Sequence, residues 1–260
     1  MAQTSSIPTP DGITWHVAQQ GQGADVVLIP SGEGDHASFT ILSSLLSSSF
    51  KITTFDMPGF SHTTCPPDAL KDLSPAKVAT QIIGLMDALS IPTATFFGCS
   101  SGGLIALALG KHHPNRVRNV IIHELPLSPP PPILALRNEQ DDEILVQKCR
   151  HIYANLMNED KAAWEALGSE YHERLDRNFV VWARNYFPLV ENHKLTKEDL
   201  TGINVTWTVG ALSPMELYFD NVVLGVQAGI QLRLLPSMHF PQVSVPEVLA
   251  AHIKGCVEKL

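Results

Sequence analysis

The chain has 260 residues, of which 44% are hydrophobic and 17% charged, so it is long enough to bury one large core. Its formal net charge of -8 and its pI of about 5.7 argue against nucleic acid and anionic membrane surfaces as partners, because both require a basic face. We expect one globular unit whose ligand is small and not strongly anionic.

The N-terminal segment and the cysteines indicate the compartment. The first residues contain no basic segment followed by an apolar stretch, and no apolar run approaches the length of a membrane span. The four cysteines are too widely spaced for a zinc motif and too few for a disulfide scaffold, which favours reduced thiols. We expect a soluble, cytoplasmic protein with no membrane partner.

Short apolar or β-branched runs alternate along the chain with helix-forming stretches. The first, residues 12–17, alternates apolar and polar side chains and predicts an antiparallel edge strand. Six further runs predict parallel strands at residues 26–29, 52–55, 95–97, 120–122, 205–209 and 232–235. Helices are predicted at residues 76–89, 103–112 and 245–259. This alternation is typical of an α/β fold, with a mostly parallel central sheet and helices on both faces.

A helical insertion is predicted between the fourth and fifth parallel strands. It opens with four prolines at residues 129–132 and carries apolar side chains at three- and four-residue intervals between residues 144 and 157. We predict a helical cap, or lid, at residues 127–193, between two parts of the core at residues 1–126 and 194–260. Its apolar side should cover the ends of the strands and enclose an apolar pocket.

Residues 98–102, with the sequence GCSSG, lie between a predicted strand and a predicted helix. In this setting the G-x-S-x-G pattern predicts a nucleophile elbow, a turn so tight that the positions two before and two after the serine must lack a β-carbon. Ser100 has glycine at both positions, whereas Ser101 would have Cys99 at the first of them. We therefore predict Ser100 as the nucleophile of a serine hydrolase with the α/β-hydrolase fold.

A serine hydroxyl needs a general base, and the base needs a group that orients it. His239 is the predicted base, because it follows the last parallel strand and so reaches the same sheet edge as Ser100. The acid is harder to assign, since no carboxylate directly follows the fifth parallel strand. Glu124, at the end of the fourth strand, is the first candidate, and Asp220 and Glu216 are the alternatives.

Two backbone N–H groups are expected to stabilise the oxyanion of the reaction. One belongs to Ser101, which follows the nucleophile, and the other to Gly32, in the glycine-containing loop after the first parallel strand. This loop lacks the lysine of a phosphate-binding loop. The sequence contains no H-E-x-x-H or similar spacing, so we expect neither a metal nor a cofactor.

Seven segments together carry a family resemblance that extends from about residue 7 to near the C-terminus. They are residues 54–59 (TFDMPG), 98–103 (GCSSGG), 123–126 (HELP), 181–184 (VWAR), 207–210 (WTVG), 219–221 (FDN) and 238–241 (MHFP). In these segments the chain resembles the fungal zearalenone lactone hydrolases. The resemblance implies a mycotoxin-detoxifying lactonase that opens the macrocyclic ester of resorcylic acid lactones, a triad of Ser100, His239 and Glu124, and a homodimer.

The resemblance also implies a substrate pocket. Trp182 matches the cap tryptophan that touches the phenolic part of the macrolactone in this family. The other implied pocket residues are Ser31, Leu156, Met157, Leu217, Tyr218 and Phe240. Ser31 stands where the family pattern has aspartate, and the proline run is longer than usual, so pocket shape should differ while the triad is retained. A carboxylesterase for small apolar esters and a non-catalytic ligand receptor on the same scaffold are the alternatives.

Overall fold

The computed structural model describes residues 2–191 and 194–259, and within them eight strands form one sheet. The strands are β1 Gln3–Pro8, β2 Thr14–Gln20, β3 Ala24–Ile29, β4 Phe50–Phe55, β5 Ala94–Cys99, β6 Val117–His123, β7 Val205–Gly210 and β8 Leu232–Leu235. Their order across the sheet is β1-β2-β4-β3-β5-β6-β7-β8. Strands β3 to β8 are parallel to one another, and β1 and β2 pair antiparallel.

Helices cover both faces of the sheet. They are α1 Thr40–Leu46, α2 Pro67–Leu70, α3 Pro75–Ala88, α4 Ser101–His112, α5 Pro131–Ala135, α6 Asp142–His151, α7 Lys161–Glu165, α8 Ser169–Val181, α9 Pro188–Glu191, α10 Met215–Gln227, α11 Pro241–Ser244 and α12 Pro246–Val257. Helices α3 and α4 pack together on one face, and α1 and α12 pack on the other. Across residues 2–191 and 194–259, no helix is both long and apolar enough to cross a membrane.

Strand β3 shows how the sequence pattern builds the two layers. Successive side chains of a strand point to opposite faces, so Val27 and Ile29 join the core on the α3 and α4 side. Val26 and Leu28 join the core on the α1 and α12 side. Both faces of β3 are thus buried, which explains why residues 26–29 form a continuous apolar run in the sequence.

The six predicted parallel strands and the α/β-hydrolase fold class are confirmed, but the predicted edge strand is wrong in position. The structure assigns this segment to β2, which lies between β1 and β4 instead of at the edge. The true edge is β1, whose side chains are mostly exposed. Its sequence, QTSSIP, is largely polar, so hydrophobic periodicity gave no signal for it. None of the four cysteines forms a disulfide in the described residues; Cys99 and Cys149 are buried and Cys65 and Cys256 are half-buried, and the reduced state stays a prediction.

Five helices, α5 to α9, lie between β6 and β7 and form the insertion. Helices α6 and α8 continue as wider π-helical turns at Ile152–Leu156 and Trp182–Tyr186. Arg174 and Asn178, on α8, attach the insertion to the core: the guanidinium Nε lies 2.7 Å from Asp35, and the amide donates to the carbonyl oxygen of Glu33 over 2.7 Å. Residues 192–193, the end of the predicted cap, lie outside the described residues.

Candidate active site

Ser100 occupies a tight turn between β5 and α4. Its φ of 53° is in the left-handed region, which is uncommon for a residue with a side chain. A β-carbon at Gly98 would lie 2.3 Å from the carbonyl group of Gly102, and one at Gly102 would lie 2.7 Å from the carbonyl oxygen of Ile29. Both positions therefore require glycine, as the sequence pattern predicted, and the turn holds Ser100 at the carboxyl edge of the sheet.

Glu124 and His239 form a buried hydrogen-bonded pair at the same edge. The Nδ1–H group of His239 donates to Glu124 Oε2 over 2.7 Å, and the backbone N–H of Gly210 donates to Glu124 Oε1 over 2.8 Å. Glu124 is fully buried, and His239 is 4% exposed. Because Nδ1 carries the proton in this pair, Nε2 of the neutral imidazole has the free lone pair.

Glu124 is ionised although it is buried. Burial opposes its negative charge, but polar interactions with His123 and His239 outweigh burial and lower the pKa of Glu124 to about 2. Its backbone has a φ of 44°, a strained conformation of the kind that concentrates at functional sites. The carboxylate is therefore charged and fixed in direction, so it stabilises a positive charge on the imidazole of His239.

Contacts from several sides hold the loop that carries His239. Nε2 of the buried His123 donates to the carbonyl oxygen of the residue before His239, over 3.1 Å. The thiol of Cys99 donates to the carbonyl oxygen of His239. The backbone N–H of His239 donates to the carbonyl oxygen of Met157, which belongs to the insertion. The Tyr218 hydroxyl lies 2.9 Å from His239 Nδ1, and its ring stacks on the imidazole at 5.5 Å. The imidazole is thus fixed by both the core and the insertion.

Two backbone N–H groups are available beside the elbow. Ser101 is the first residue of α4, so its N–H group has no acceptor within the helix. Gly32 lies in the loop after β3 and lines the same cavity as Ser100. A β-carbon at Gly32 would lie 2.3 Å from the Tyr153 hydroxyl and 2.9 Å from Trp182 Nε1, so a side chain does not fit there. The arrangement is compatible with the two predicted oxyanion donors.

A cavity lies over the elbow, between the core and the insertion, with about 60 Å³ of space for the centres of water-sized molecules. Most of its lining side chains are apolar. The lining residues are Ser31, Gly32, Ser100, Ser101, Pro126, Ser128, Pro129, Pro130, Ile133, Tyr153, Met157, Trp182, Val190, Leu217, Tyr218, His239 and Phe240.

The sequence is similar to known hydrolases over its full length. The family model for the α/β hydrolase fold matches residues 26–143. The zearalenone hydrolase of Bionectria ochroleuca is 40% identical, and the alignment covers 100% of this chain and 99% of that protein. The zearalenone hydrolase of Cladophialophora bantiana is 43% identical, over 98% of this chain and 97% of that protein. The chain belongs to the zearalenone hydrolase family.

A solved structure agrees with this family assignment at the level of the fold. Carboxylesterase CesB from Bacillus subtilis superposes with a TM-score of 0.77 over 99% of this chain and 92% of that one, at 19% sequence identity. The family member described here is therefore a hydrolase with the α/β-hydrolase fold. The predicted family and the prediction of an enzyme are confirmed.

The cavity brings together most of the residues that the sequence predicted for the site. Ten of them line it directly: Ser31, Gly32, Ser100, Ser101, Met157, Trp182, Leu217, Tyr218, His239 and Phe240. Leu156 does not, because its side chain is 53% exposed and lies in a separate surface groove. Tyr153, within the π-helical turn at Ile152–Leu156, and Met157, directly after it, line the cavity, whereas Leu156 does not.

The geometry also distinguishes among the three candidate acids. Only Glu124, of the three, has a hydrogen bond with His239. Asp220 is exposed and accepts a hydrogen bond from Ser128, and Glu216 is exposed on α10. This arrangement favours Glu124 as the acid.

Sequence reasoning missed several lining residues of this family member. Tyr153 contributes the hydroxyl nearest to Gly32, and its ring stacks on Phe240 at 5.5 Å. The signal was its place on the apolar side of the predicted amphipathic helix. Pro129 and Pro130 line the cavity as well, so the proline run does shape the pocket. The other missed lining residues are Pro126, Ser128, Ile133 and Val190.

Glu33 is a further buried carboxyl group, next to Gly32 in the loop after β3. It is 1% exposed, its Oε1 accepts from the Ser38 hydroxyl over 3.3 Å, and within the described part of the chain its Oε2 has no hydrogen-bond partner. Burial raises the pKa of Glu33 to about 7. Around neutral pH the folded protein therefore retains a proton that the unfolded chain has lost.

We expect the difference in free energy of unfolding between Glu33→Gln and the wild type to be more favourable to the variant at pH 8 than at pH 4. At pH 4 the carboxyl is largely protonated in both states, and the stability that this proton gives the folded state is lost as the pH rises towards about 7. The variant should gain on the order of 3 kcal/mol in free energy of unfolding between the two pH values, relative to wild type. Urea unfolding at each pH measures this difference.

The control for this measurement is Glu216→Gln, which changes an exposed glutamate on α10 and should show no such pH dependence. An equal effect of Glu33→Gln at both pH values would mean that Glu33 does not titrate near neutral pH.

Proposed function

We propose that the enzyme opens the macrocyclic lactone ester of zearalenone-like resorcylic acid lactones, with Ser100 as nucleophile, His239 as general base and Glu124 as the orienting acid. The observation that carries this proposal is the 2.7 Å hydrogen bond between His239 Nδ1 and Glu124 Oε2, beside an apolar cavity that Ser100 and His239 both line. Full-length similarity to two zearalenone hydrolases supports the substrate class.

In the first half of the reaction, Nε2 of His239 accepts the proton of the Ser100 hydroxyl while Oγ attacks the lactone carbonyl carbon. Glu124 stabilises the resulting imidazolium through the hydrogen bond at Nδ1. The carbonyl oxygen becomes an oxyanion, and the N–H groups of Gly32 and Ser101 donate to it. The N-terminus of α4 adds partial positive charge at the same point.

In the second half, His239 returns its proton to the ester oxygen and the carbon–oxygen bond of the ring breaks. The released alcohol stays part of the acyl group, which is now bound to Ser100. Water then attacks the acyl carbon while His239 takes one of its protons. His239 returns this proton to Ser100 Oγ as the acyl–oxygen bond to Ser100 breaks, which restores the free enzyme. The net change is addition of one water molecule to give a hydroxy acid.

The side chains that line the cavity suit an apolar ligand. Trp182, Tyr153 and Phe240 present aromatic surface, and Met157 and Leu217 add flexible apolar side chains. Such walls gain binding free energy by removing apolar surface of the ligand from water. The catalytic groups lie at the core side of this space, where an ester carbonyl would reach them.

The deciding experiment is mass analysis of zearalenone incubated with the purified protein and, as the control, with its Ser100→Ala variant. We expect a product heavier by one water molecule only with the wild type. Parallel assays with p-nitrophenyl esters separate the alternatives. Turnover of these esters without conversion of zearalenone would indicate a general carboxylesterase, and binding of zearalenone without turnover of either would indicate a ligand receptor.

We expect Trp182→Ala to lower kcat/KM for zearalenone about 10–100-fold, mainly by raising KM. Trp182 is 4% exposed and lines the cavity, so its removal takes away ligand contact without touching the reacting groups. Steady-state kinetics measure the effect, and Trp182→Phe, which keeps an aromatic wall, should lose much less. Unchanged kinetics for Trp182→Ala would place the bound ring elsewhere in the cavity.

A further inference from the structure

Three histidines surround one buried aspartate, and none of these four residues lines the cavity over Ser100. His16 lies on β2, Asp56 directly follows β4, His36 lies in the segment after β3, and His62 lies in the loop after Asp56. Asp56 is fully buried, whereas the side chains of His36 and His62 are 16% and 47% exposed. The cluster therefore combines a fixed carboxylate with a route from solvent.

The carboxylate of Asp56 is held at both oxygens. Oδ1 accepts from the backbone N–H and the ring Nδ1 of His36, over 2.9 and 2.6 Å. Oδ2 accepts from the backbone N–H and the ring Nδ1 of His62, over 3.1 and 3.0 Å. Burial opposes the charge on Asp56, but these hydrogen bonds outweigh it and lower the pKa of Asp56. Carboxylates that orient imidazoles in this way are typical of the surroundings of protein-bound metal ions.

His16, on β2, faces His36 and His62. Its ring centre lies 4.7 Å from that of His62 and 5.0 Å from that of His36. Tetrahedral coordination with metal–nitrogen bonds of about 2.0–2.1 Å places two imidazole ring centres about 5 Å apart. The spacing of the His16 and His62 rings therefore fits two ligands of one ion.

Two sets of three ligand atoms are close together here, and their chemistry distinguishes them. Potential ligand atoms of His16, Asp56 and His62 lie within 4.8 Å of one another, and so do those of Asp35, His36 and Asp56. Asp35, however, forms an ion pair with the Arg174 guanidinium at 2.7 Å and is fully buried. Its charge is already neutralised, so the first set is the better cation site.

We propose that His16, Asp56 and His62 bind one divalent transition-metal ion, with water completing its coordination, and that Zn²⁺ matches this set of two nitrogens and one oxygen best. His62 Nδ1 and Asp56 Oδ2 lie 3.0 Å apart, close to the edge of about 3.3 Å in a tetrahedron of such ligands. The metal takes the place of the proton between these two atoms, and the neutral imidazole of His62 then carries its one proton on Nε2. The bound ion links β2 to the loop after β4 and stabilises the folded state.

The test is calorimetric titration of the chelator-treated full-length protein with ZnCl₂. We expect one equivalent of zinc to bind, and His16→Asn and His62→Asn each to weaken binding by at least about tenfold. The zinc-dependent rise in the unfolding midpoint should be lost in both variants. His112→Asn, which removes an exposed imidazole at the end of α4, is the matched control and should bind zinc like the wild type.

A zinc affinity of the wild type no greater than that of the doubly substituted His16→Asn, His62→Asn protein would overturn the proposal. Loss of binding in only one of the two single variants would overturn it as well, because both side chains are ligands. Cobalt substitution gives a second readout that does not depend on any variant folding. The expected spectrum has weak visible bands from nitrogen and oxygen ligands, and an intense thiolate-to-cobalt band would place the metal at a cysteine instead.

Discussion

Ser100→Ala is expected to lower kcat for zearalenone by about 10⁴-fold or more while leaving the unfolding midpoint nearly unchanged. The hydroxyl oxygen is the atom that forms the acyl bond in the proposed reaction, and a methyl group in its place cannot form that bond. The side chain makes no capping hydrogen bond to α4, so its removal should cost little stability. Single-turnover and steady-state assays on the purified variant measure the loss.

Ser101→Ala is the matched control for this experiment. Ser101 is the adjacent serine of the elbow, and the proposed reaction uses only its backbone N–H group. The variant should therefore retain most of the wild-type kcat. Full turnover by a folded Ser100→Ala protein, or a larger loss in Ser101→Ala, would refute the assignment of the nucleophile.

Glu124→Gln is expected to lower kcat by about 10³–10⁴-fold at neutral pH, because it reverses the tautomer of His239. The backbone N–H of Gly210 donates to Oε1, so the amide oxygen of the substituted side chain would remain on that side. The amide NH₂ would then face His239 Nδ1 and donate to it, which moves the imidazole proton to Nε2. An imidazole protonated at Nε2 does not accept the proton of Ser100. Steady-state kinetics on zearalenone measure the loss.

Asp220→Asn is the matched control, since Asp220 is the alternative acid on the sequence evidence but is exposed and paired with Ser128. This variant should keep most of the wild-type kcat. Thermal unfolding of both variants checks that they fold. High activity in Glu124→Gln together with a large loss in Asp220→Asn would transfer the role of the acid to Asp220.

The elbow at Ser100 and the place of His239 at the same sheet edge were predictable because each has a local signal. The glycines at positions 98 and 102 are required by contacts within a few residues and with the adjacent strand, so the constraint is written into a short motif. His239 follows the last parallel strand, and all carboxyl ends of parallel strands meet at one edge of the sheet. Chain order and strand direction therefore suffice to bring these two residues near each other.

The acid was less predictable because its partner comes from a distant part of the chain. Glu124 reaches His239 because β6 lies beside β7 and because its own backbone adopts a φ of 44°. Neither property is visible in the six residues around it. The sequence thus left Glu124, Asp220 and Glu216 as candidates, and burial with hydrogen bonding distinguishes them.

Some residues of the pocket were likewise predictable from the sequence, and others were not. Helical periodicity predicted an apolar side in the insertion, and Tyr153 and Met157 do lie on it. The same periodicity did not predict the π-helical turn, which changes the direction of each side chain within it. The family resemblance assigned Leu156 to the pocket, but its side chain is 53% exposed and lies outside the cavity.

The amino-acid sequence alone predicted the α/β-hydrolase fold, the elbow at Ser100 and the place of His239, because these depend on hydrophobic patterning, strand direction and glycine requirements over short stretches. Its short motifs carried the family resemblance. Folding in three dimensions decided which carboxylate meets His239, which cap side chains face the cavity, and that three histidines meet around Asp56. These depend on contacts between segments far apart in the chain, whose distances and side-chain directions are set by packing of the whole core.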